Sequence, residues 1–428
     1  MGEWSGRQVE IEVTNVAHGG VAVARHEGRV IFVSDAIPGE TVLARITDDS
    51  KESFWRAETL SVVEASEFRR PHIWPAAGID RAPEDRAGGA EFGHIVTAHQ
   101  RELKRQVLAD SLQRMAGIQT DVTVDALPGA EDGTGWRTRV RLHVAADGRP
   151  GPYAARSHRV ISVDDLPLAV PELAAIAPLE ERFPGIDHID VVVPSLGNPF
   201  VLTSGAQRTD ARKQGRKATG QRPKAQRILE RVGDRDFRLD ARGFWQVHRH
   251  AAQTLTTAVQ EAVDANRFDP RAANLDLYGG VGLLAAALGD RFGSALRITT
   301  VESDPLATDH AAENLSEWVG AAAITARVEN YVTQLGATAS SAERDRLARG
   351  SIVLDPPRSG AGKAVVREIA ALRPAQVVYV ACDPVALARD VALFGGFGYE
   401  LTRLRAFDLF PNTHHVEAVA TLVPAEVF

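Results

Sequence analysis

Beyond residue 272 the chain repeats one pattern to its end: a short apolar run, a turn, then a helical periodicity. The runs fall at 274–277, 298–301, 352–354 and 377–380. Strands that alternate with helices pair in parallel and are covered on both faces, so they read as continuous apolar segments. The expectation is a doubly wound α/β sheet. Open sheets of this kind bind ligands just outside the carboxyl ends of their strands. The residues that follow each run are therefore where chemistry is expected.

After the first run come Tyr278-Gly279-Gly280-Val281-Gly282 and a helical pattern from Leu283 to Leu288. Glycines let backbone approach a ligand closely, and a helix amino end offers free N–H groups. The second run closes on Glu302, whose carboxylate can accept from both hydroxyls of a ribose. This pattern alone does not choose between a nicotinamide cofactor and S-adenosylmethionine, although the glycines depart from strict G-x-G-x-x-G spacing. The third run makes the choice. It ends in Asp355-Pro356-Pro357-Arg358, a carboxylate and a rigid turn at the sheet edge. Many methyltransferases carry a related Asp/Asn-Pro-Pro turn there. Amino-directed ones usually follow the prolines with an aromatic; Arg358 stands in its place and disfavours nitrogen methylation.

The fourth run leads into Cys382-Asp383-Pro384, and Cys382 is the only cysteine in 428 residues. A lone cysteine is ordinarily a small core hydrophobe. Its position past a strand end suits a nucleophile instead. Carbon 5 of uracil is a poor nucleophile until a thiolate adds to carbon 6 and creates an enolate. A base must later remove the proton from carbon 5 so that the thiolate can leave. One activated cysteine and one carboxylate are needed, around a base held out of its stack. Glu417 is the candidate carboxylate. The segment 407–417 runs from a strand through a proline turn into another strand and returns Glu417 to the sheet, flanked by Val416, Ala418 and Val419. Burial there would raise its pKa. His414 and His415 can pair with it or shape the turn, and no further ligands suggest a metal.

Upstream, residues 7 to 64 show five short strand patterns separated by Gly19-Gly20, Glu27-Gly28 and Pro38-Gly39. This reads as a small barrel of the oligonucleotide-binding type. Residues 65 to 95 read as a linker or long loop, and 99 to 115 as a helix with Leu103, Val107, Leu108, Leu112 and Met115 on one face. Arg137, Arg139, Arg141 and His143 share one face of a strand by period two, either as a phosphate-binding row or as a solvated face. Arg208, Arg212, Lys213, Arg216, Lys217, Arg222, Lys224, Arg227 and Arg231 form a basic stretch in a chain of net charge −7. Segments of this kind bind phosphates without base specificity. Phe244-Trp245-Gln246-Val247-His248 opens a further helix, with Ala251, Leu255, Val259 and Val263 as its apolar stripe.

Taken together, the chain resembles the RNA (uracil-5-)-methyltransferase family over nearly its whole length. The most specific stretches are VLDPPRSGAG at 353–362, YVACDPVALARD at 379–390 and FPNTHHVEAV at 410–419. Gly19-Gly20 and IFVSDAIPGETV at 31–42 resemble a TRAM domain, an RNA-binding barrel. The resemblance implies three domains: a TRAM-like barrel over 1–64, a central α+β RNA-recognition domain over 65–243, and a Rossmann-like S-adenosylmethionine-dependent methyltransferase domain over 244–428. It implies that Cys382 is the nucleophile and Glu417 the base, and that Gln246, Tyr278, Glu302 and Asp355 contact S-adenosylmethionine. Ribosomal-RNA members often carry an iron–sulfur cluster; Ala90 and Leu166 stand where two of its cysteines would be, and one cysteine cannot build one. Asp383 replaces a usual Asn beside the cysteine, and His248 an Asn after the Gln motif. An anion at 383 raises the thiol pKa unless it is hydrogen-bonded away.

The expected activity is formation of 5-methyluridine in structured RNA. The barrel favours 23S ribosomal RNA, with transfer RNA as the alternative. An RNA chaperone with dispensable methylation and a nitrogen-directed methyltransferase are the competing classes. No signal pattern or membrane-length apolar run is present, so a cytoplasmic protein with no membrane partner is expected. Nothing in the sequence sets an oligomeric state.

Overall fold

The computed structural model describes residues 4–205 and 225–426, which form two compact units. The first comprises residues 1–103, 129–226 and 410–414. Its amino-terminal part is a closed barrel of β1 (Gln8–Ala17), β2 (Val21–His26), β3 (Arg29–Ser34), β4 (Thr41–Asp48) and β5 (Phe54–Glu64), in the order β1-β2-β3-β5-β4. Alternate residues point inward, as period two requires. Val9, Ile11 and Val13 from β1 meet Ile31, Val33 and Trp55 in its core. The next strand in the chain, β6 (Val124–Ala126), belongs to the second unit. The first unit continues with β7 (Arg139–Val144), β8 (Pro150–Gly151), β9 (Ile186–Val192) and β10 (Phe200–Gly205), a sheet ordered β10-β9-β7-β8.

The basic row expected on β7 is not a free face. The strand is paired with β9 from Arg139 to His143, and Arg139 is 9 % exposed. Arg141 is taken up by Asp190, at 2.7 and 3.1 Å. Most of the basic stretch lies outside the described residues. Arg227 and Arg231, which do not, are held on β11 (Arg227–Val232) by Glu313 at 2.6 Å and Asp236 at 2.7 Å. Ala90 and Leu166 are both buried apolar positions.

The second unit comprises residues 104–128, 227–409 and 415–428. β11 pairs with β12 (Arg235–Asp240) as a hairpin. The eight-stranded sheet then adds β13 (Asn274–Leu277), β14 (Arg297–Glu302), β15 (Gly320–Thr325), β16 (Ser351–Leu354), β17 (Gln376–Ala381), β18 (Tyr399–Asp408) and β19 (Glu417–Pro424). Its order is β15-β14-β13-β16-β17-β19-β18-β6. The strands from β15 to β17 are mutually parallel, and β19 enters antiparallel between β17 and β18. Every residue of β13, β16 and β17 is buried, because helices cover both faces. The order reverses between β13 and β16, the switch point at which such sheets open a ligand crevice.

The helix expected over 99–115 runs from Thr97 to Ala116, with Leu103, Leu108 and Leu112 buried. Met115 is exposed, because the last turn extends past the core. The same helix buries Lys104, whose Nζ meets Asp408 Oδ1 at 2.5 Å with both side chains essentially inaccessible. Asp408 is the last residue of β18, and its neighbour Phe407 is paired with Glu417.

Candidate active site

The sheet register lines up the candidate residues. Glu302 ends β14, Tyr278 follows β13 and Asp355 follows β16; Leu277 pairs with Val301 and with Leu354. Cys382 follows β17, whose last pair is Ala381 with Ala418 of β19. One further step in that antiparallel register sets Cys382 opposite Glu417. Directly opposed residues on neighbouring strands have Cα atoms about 5 Å apart. Five of the six candidates therefore sit on adjacent strands at one edge of the sheet. Gln246 lies half-buried in the segment before the helix Ala251–Ala262, beside Phe244, which is 74 % exposed.

The glycine turn is shaped as a cradle. Tyr278 has φ +61°, a left-handed conformation unusual for an aromatic residue and of the kind found at ligand sites. At Gly279 an added Cβ would come within 2.5 Å of the Asp276 carboxylate and 2.4 Å of Thr300. Glu302 Oε2 accepts from Gly280 N at 3.2 Å, while Oε1 accepts from Ser303 N and Asp304 N at 2.5 and 2.9 Å. These carboxylate and amide groups suit a ribose and an amino-acid group, so the residues present fit S-adenosylmethionine.

Asp276 was not singled out from the sequence, where it is one polar residue inside an apolar run. It is fully buried on β13. Its Oδ2 accepts from Thr300 Oγ1 at 3.3 Å, and Oδ1 makes no well-aligned hydrogen bond. Burial pushes its pKa up to about 7, against weaker opposite pulls from the Thr300 hydroxyl and the Ala285 amide.

At the reactive end, burial pushes the Cys382 thiol up to about 12, with Glu417 and Asp355 adding to the rise and Arg358 opposing it. Asp383 is the smallest contributor. Its Oδ1 accepts from Val385 N and Ala386 N at 3.0 and 2.8 Å, capping the helix Pro384–Gly396. The anion beside the thiol is thus spent on a helix amino end, where it is well placed. Glu417 is only 3 % exposed. Burial and then the Asp355 charge raise its pKa well above the ordinary carboxylate range, while Arg358 draws it back. Burial likewise raises Asp355 to about 7, with Asp276 adding to it. His248, 3 % exposed, is held neutral with its pKa near 3 by burial, and its Nδ1 accepts from His250 N at 3.0 Å.

Arg358 is a second residue whose place the sequence did not reveal. Its Nη2 lies 3.0 Å from His415 Nε2. A guanidinium only donates, so the imidazole accepts there. It is the cation that opposes both the Cys382 and the Glu417 shifts.

Comparison with known proteins shows what the chain is similar to. The profile of the family described as tRNA (uracil-5-)-methyltransferase matches residues 212–424, and that of the TRAM domain matches residues 4–58. An uncharacterized RNA methyltransferase of Streptomyces avermitilis is 37% identical, over 98% of this chain and 99% of its own length. One from Streptomyces coelicolor is 36% identical, over 98% and 93%. Among solved structures, the Pyrococcus abyssi tRNA (uracil-54, C5)-methyltransferase in complex with S-adenosyl-L-homocysteine superposes with a TM-score of 0.66. It covers 96% of this chain and 99% of its own, at 20% identity, and so bears on the fold.

Proposed function

The chain belongs to the RNA (uracil-5-)-methyltransferase family, and on that premise we propose that it methylates carbon 5 of a uridine in 23S ribosomal RNA, in the cytoplasm, through a covalent cysteine–uracil adduct. The observation that carries the reading is the register that sets Cys382 opposite Glu417, with Asp355 on the neighbouring strand. The barrel and central domain, 1–64 and 65–243, hold the RNA, and 244–428 performs the transfer.

S-adenosylmethionine, which Gln246, Tyr278, Glu302 and Asp355 would hold, would supply the methyl group from its sulfonium and leave as S-adenosylhomocysteine. Cys382 Sγ, once deprotonated, adds to carbon 6 of the flipped uracil, and the electron pair moves onto carbon 5 and the carbonyl oxygen as an enolate. Carbon 5 takes the methyl group. Glu417 then removes the remaining proton from carbon 5, and the carbon 6–sulfur bond breaks to return the thiolate. A carboxylate held above its ordinary pKa is the stronger base this last proton transfer needs. Arg358 offsets part of the negative charge gathered by Glu417 and Asp355 and so favours the thiolate.

Transfer RNA is the second reading. It is favoured by a specific observation: the Pyrococcus abyssi tRNA (uracil-54, C5)-methyltransferase matches 96% of this chain. A barrel of this kind therefore does not by itself select ribosomal RNA. Nucleoside mass spectrometry on separated ribosomal and transfer RNA, from cells with and without the gene, decides. Loss of 5-methyluridine from one pool names the substrate. Loss from neither, together with no trapped adduct on 5-fluorouridine RNA, would sink the reading and leave an RNA chaperone.

A further inference from the structure

The loop that carries Asp355 and Arg358 is fixed from outside itself. It runs from the end of β16 into the helix Gly362–Leu372, whose amino end has no side-chain cap of its own. The first amides of a helix need acceptors. Here they are met by Asp390, which lies on the helix that Cys382 and Asp383 introduce. Asp390 Oδ2 accepts from Ala361 N at 2.8 Å and from Gly362 N at 3.1 Å. It also accepts from the Tyr379 hydroxyl at 2.7 Å, and that hydroxyl in turn accepts from Ala361 N at 3.1 Å. Arg389 completes the contact, with Nε 3.0 Å from Asp390 Oδ1 and Nη2 donating to Ser359 O at 2.7 Å. Asp390 and Tyr379 are fully buried.

Gly360 shows how closely the loop is drawn in. It has φ +76°, and a Cβ there would lie 2.5 Å from Arg389 Nη2 and 2.6 Å from Asp390 Oδ2. Arg358 is two residues upstream, and Tyr379 is three residues before the nucleophile. The carboxylate thus ties the Arg358 loop to the strand and helix on either side of Cys382.

We infer that Asp390, with Tyr379 and Arg389, is a positioning latch that fixes the loop carrying Arg358, whose guanidinium lies 3.0 Å from His415, two residues from Glu417. A carboxylate accepting several N–H and O–H groups in a dry site is strongly bound. The groups that face Cys382 are Glu417, Asp355 and Asp383 as acids and Arg358 as the opposing cation. Releasing the loop removes the cation and leaves the acids. Arg358 is the cation that lowers the thiol's pKa, and each unit by which its loss raises that pKa makes the thiolate fraction at fixed pH about tenfold smaller.

The inference rests on the proposed function only in taking Cys382 as the nucleophile, and its test uses neither RNA nor turnover. Because the chain has a single cysteine, its alkylation by iodoacetamide at pH 9, followed by intact-protein mass spectrometry, reports that thiol alone. Asp390→Asn and Tyr379→Phe are compared with Arg358→Gln and with the double variant Asp390→Asn/Arg358→Gln. The expected result is a roughly tenfold slower alkylation in Asp390→Asn and in Arg358→Gln, a smaller slowing in Tyr379→Phe, and no further slowing in the double variant. Such non-additivity marks residues acting through one another. Unchanged or faster alkylation in Asp390→Asn, or effects that multiply in the double variant, would overturn the latch and leave Asp390 a helix cap. Failure of the proposed function shows separately, as a wild-type protein that alkylates normally but forms no adduct with 5-fluorouridine RNA.

Discussion

Replacing Asp276 by asparagine should make the protein more stable at neutral pH and weaken its hold on S-adenosylmethionine. Asp276 is fully buried, one oxygen lacks a well-aligned hydrogen bond, and its pKa is pushed from the ordinary 3.8 up to about 7. The folded protein therefore keeps a proton that the unfolded chain loses. Stability from this group is fully present below about pH 4, falls as pH rises toward 7, and is level above that. A thousandfold difference in proton affinity amounts to roughly 4 kcal/mol in all, of which about 2–3 kcal/mol falls between pH 5 and pH 8. Asparagine has the same shape and no charge, so the variant escapes the loss. Urea unfolding of both proteins at pH 5 and pH 8 measures this, and the variant's advantage should be larger at pH 8. Calorimetry should show S-adenosylmethionine binding at least tenfold weaker, since stability is commonly given up for a site. An advantage independent of pH, or no advantage at all, would refute the assignment of a strained buried carboxylate.

Glu417→Gln should leave adduct formation and methyl transfer intact but block release, so that a denaturant-stable complex accumulates on ordinary uridine RNA and multiple turnover falls about 10²–10⁴-fold; a gel-shift under denaturing conditions reads it. Wild-type turnover should rise with pH, because Glu417 must be ionised and Cys382 deprotonated and both pKa values are raised; a rate that falls between pH 6 and 9 contradicts both roles. Alkylation of Cys382 should be faster with S-adenosylmethionine bound than with S-adenosylhomocysteine, since only the first carries a positive sulfur near the thiol; equal rates would place the cofactor elsewhere. Lys104→Met removes the cation buried against Asp408 and should cost about 3–5 kcal/mol, most of it regained in Lys104→Met/Asp408→Leu; thermal melts of the two variants decide.

Much of the molecule was legible in one dimension. The apolar runs at 352–354 and 377–380 became β16 and β17, because a doubly covered strand leaves an uninterrupted hydrophobic record. The barrel followed from alternation and glycine turns, and the glycine turn, Glu302, Asp355 and Cys382 from what stands just past each strand. Residues 206–224, which hold most of the basic stretch, lie outside the described structure. For the basic row on β7, period two tells which residues share a face but not that Arg139 is buried or that Asp190 on the neighbouring β9 pairs with Arg141.

Sequence by itself determined the element types, the location of the candidate cysteine at a strand end and the family. Those depend on local periodicity and on motifs a few residues long. Only the tertiary structure decided that β19 inserts antiparallel between β17 and β18, and so that Glu417 faces Cys382 from 35 positions downstream. Only the tertiary structure turned Arg358 toward His415, capped one helix with Asp390 of the next and buried Asp276 completely. Strand order and side-chain charge balance are set by packing between residues far apart in the chain, and no local pattern records them.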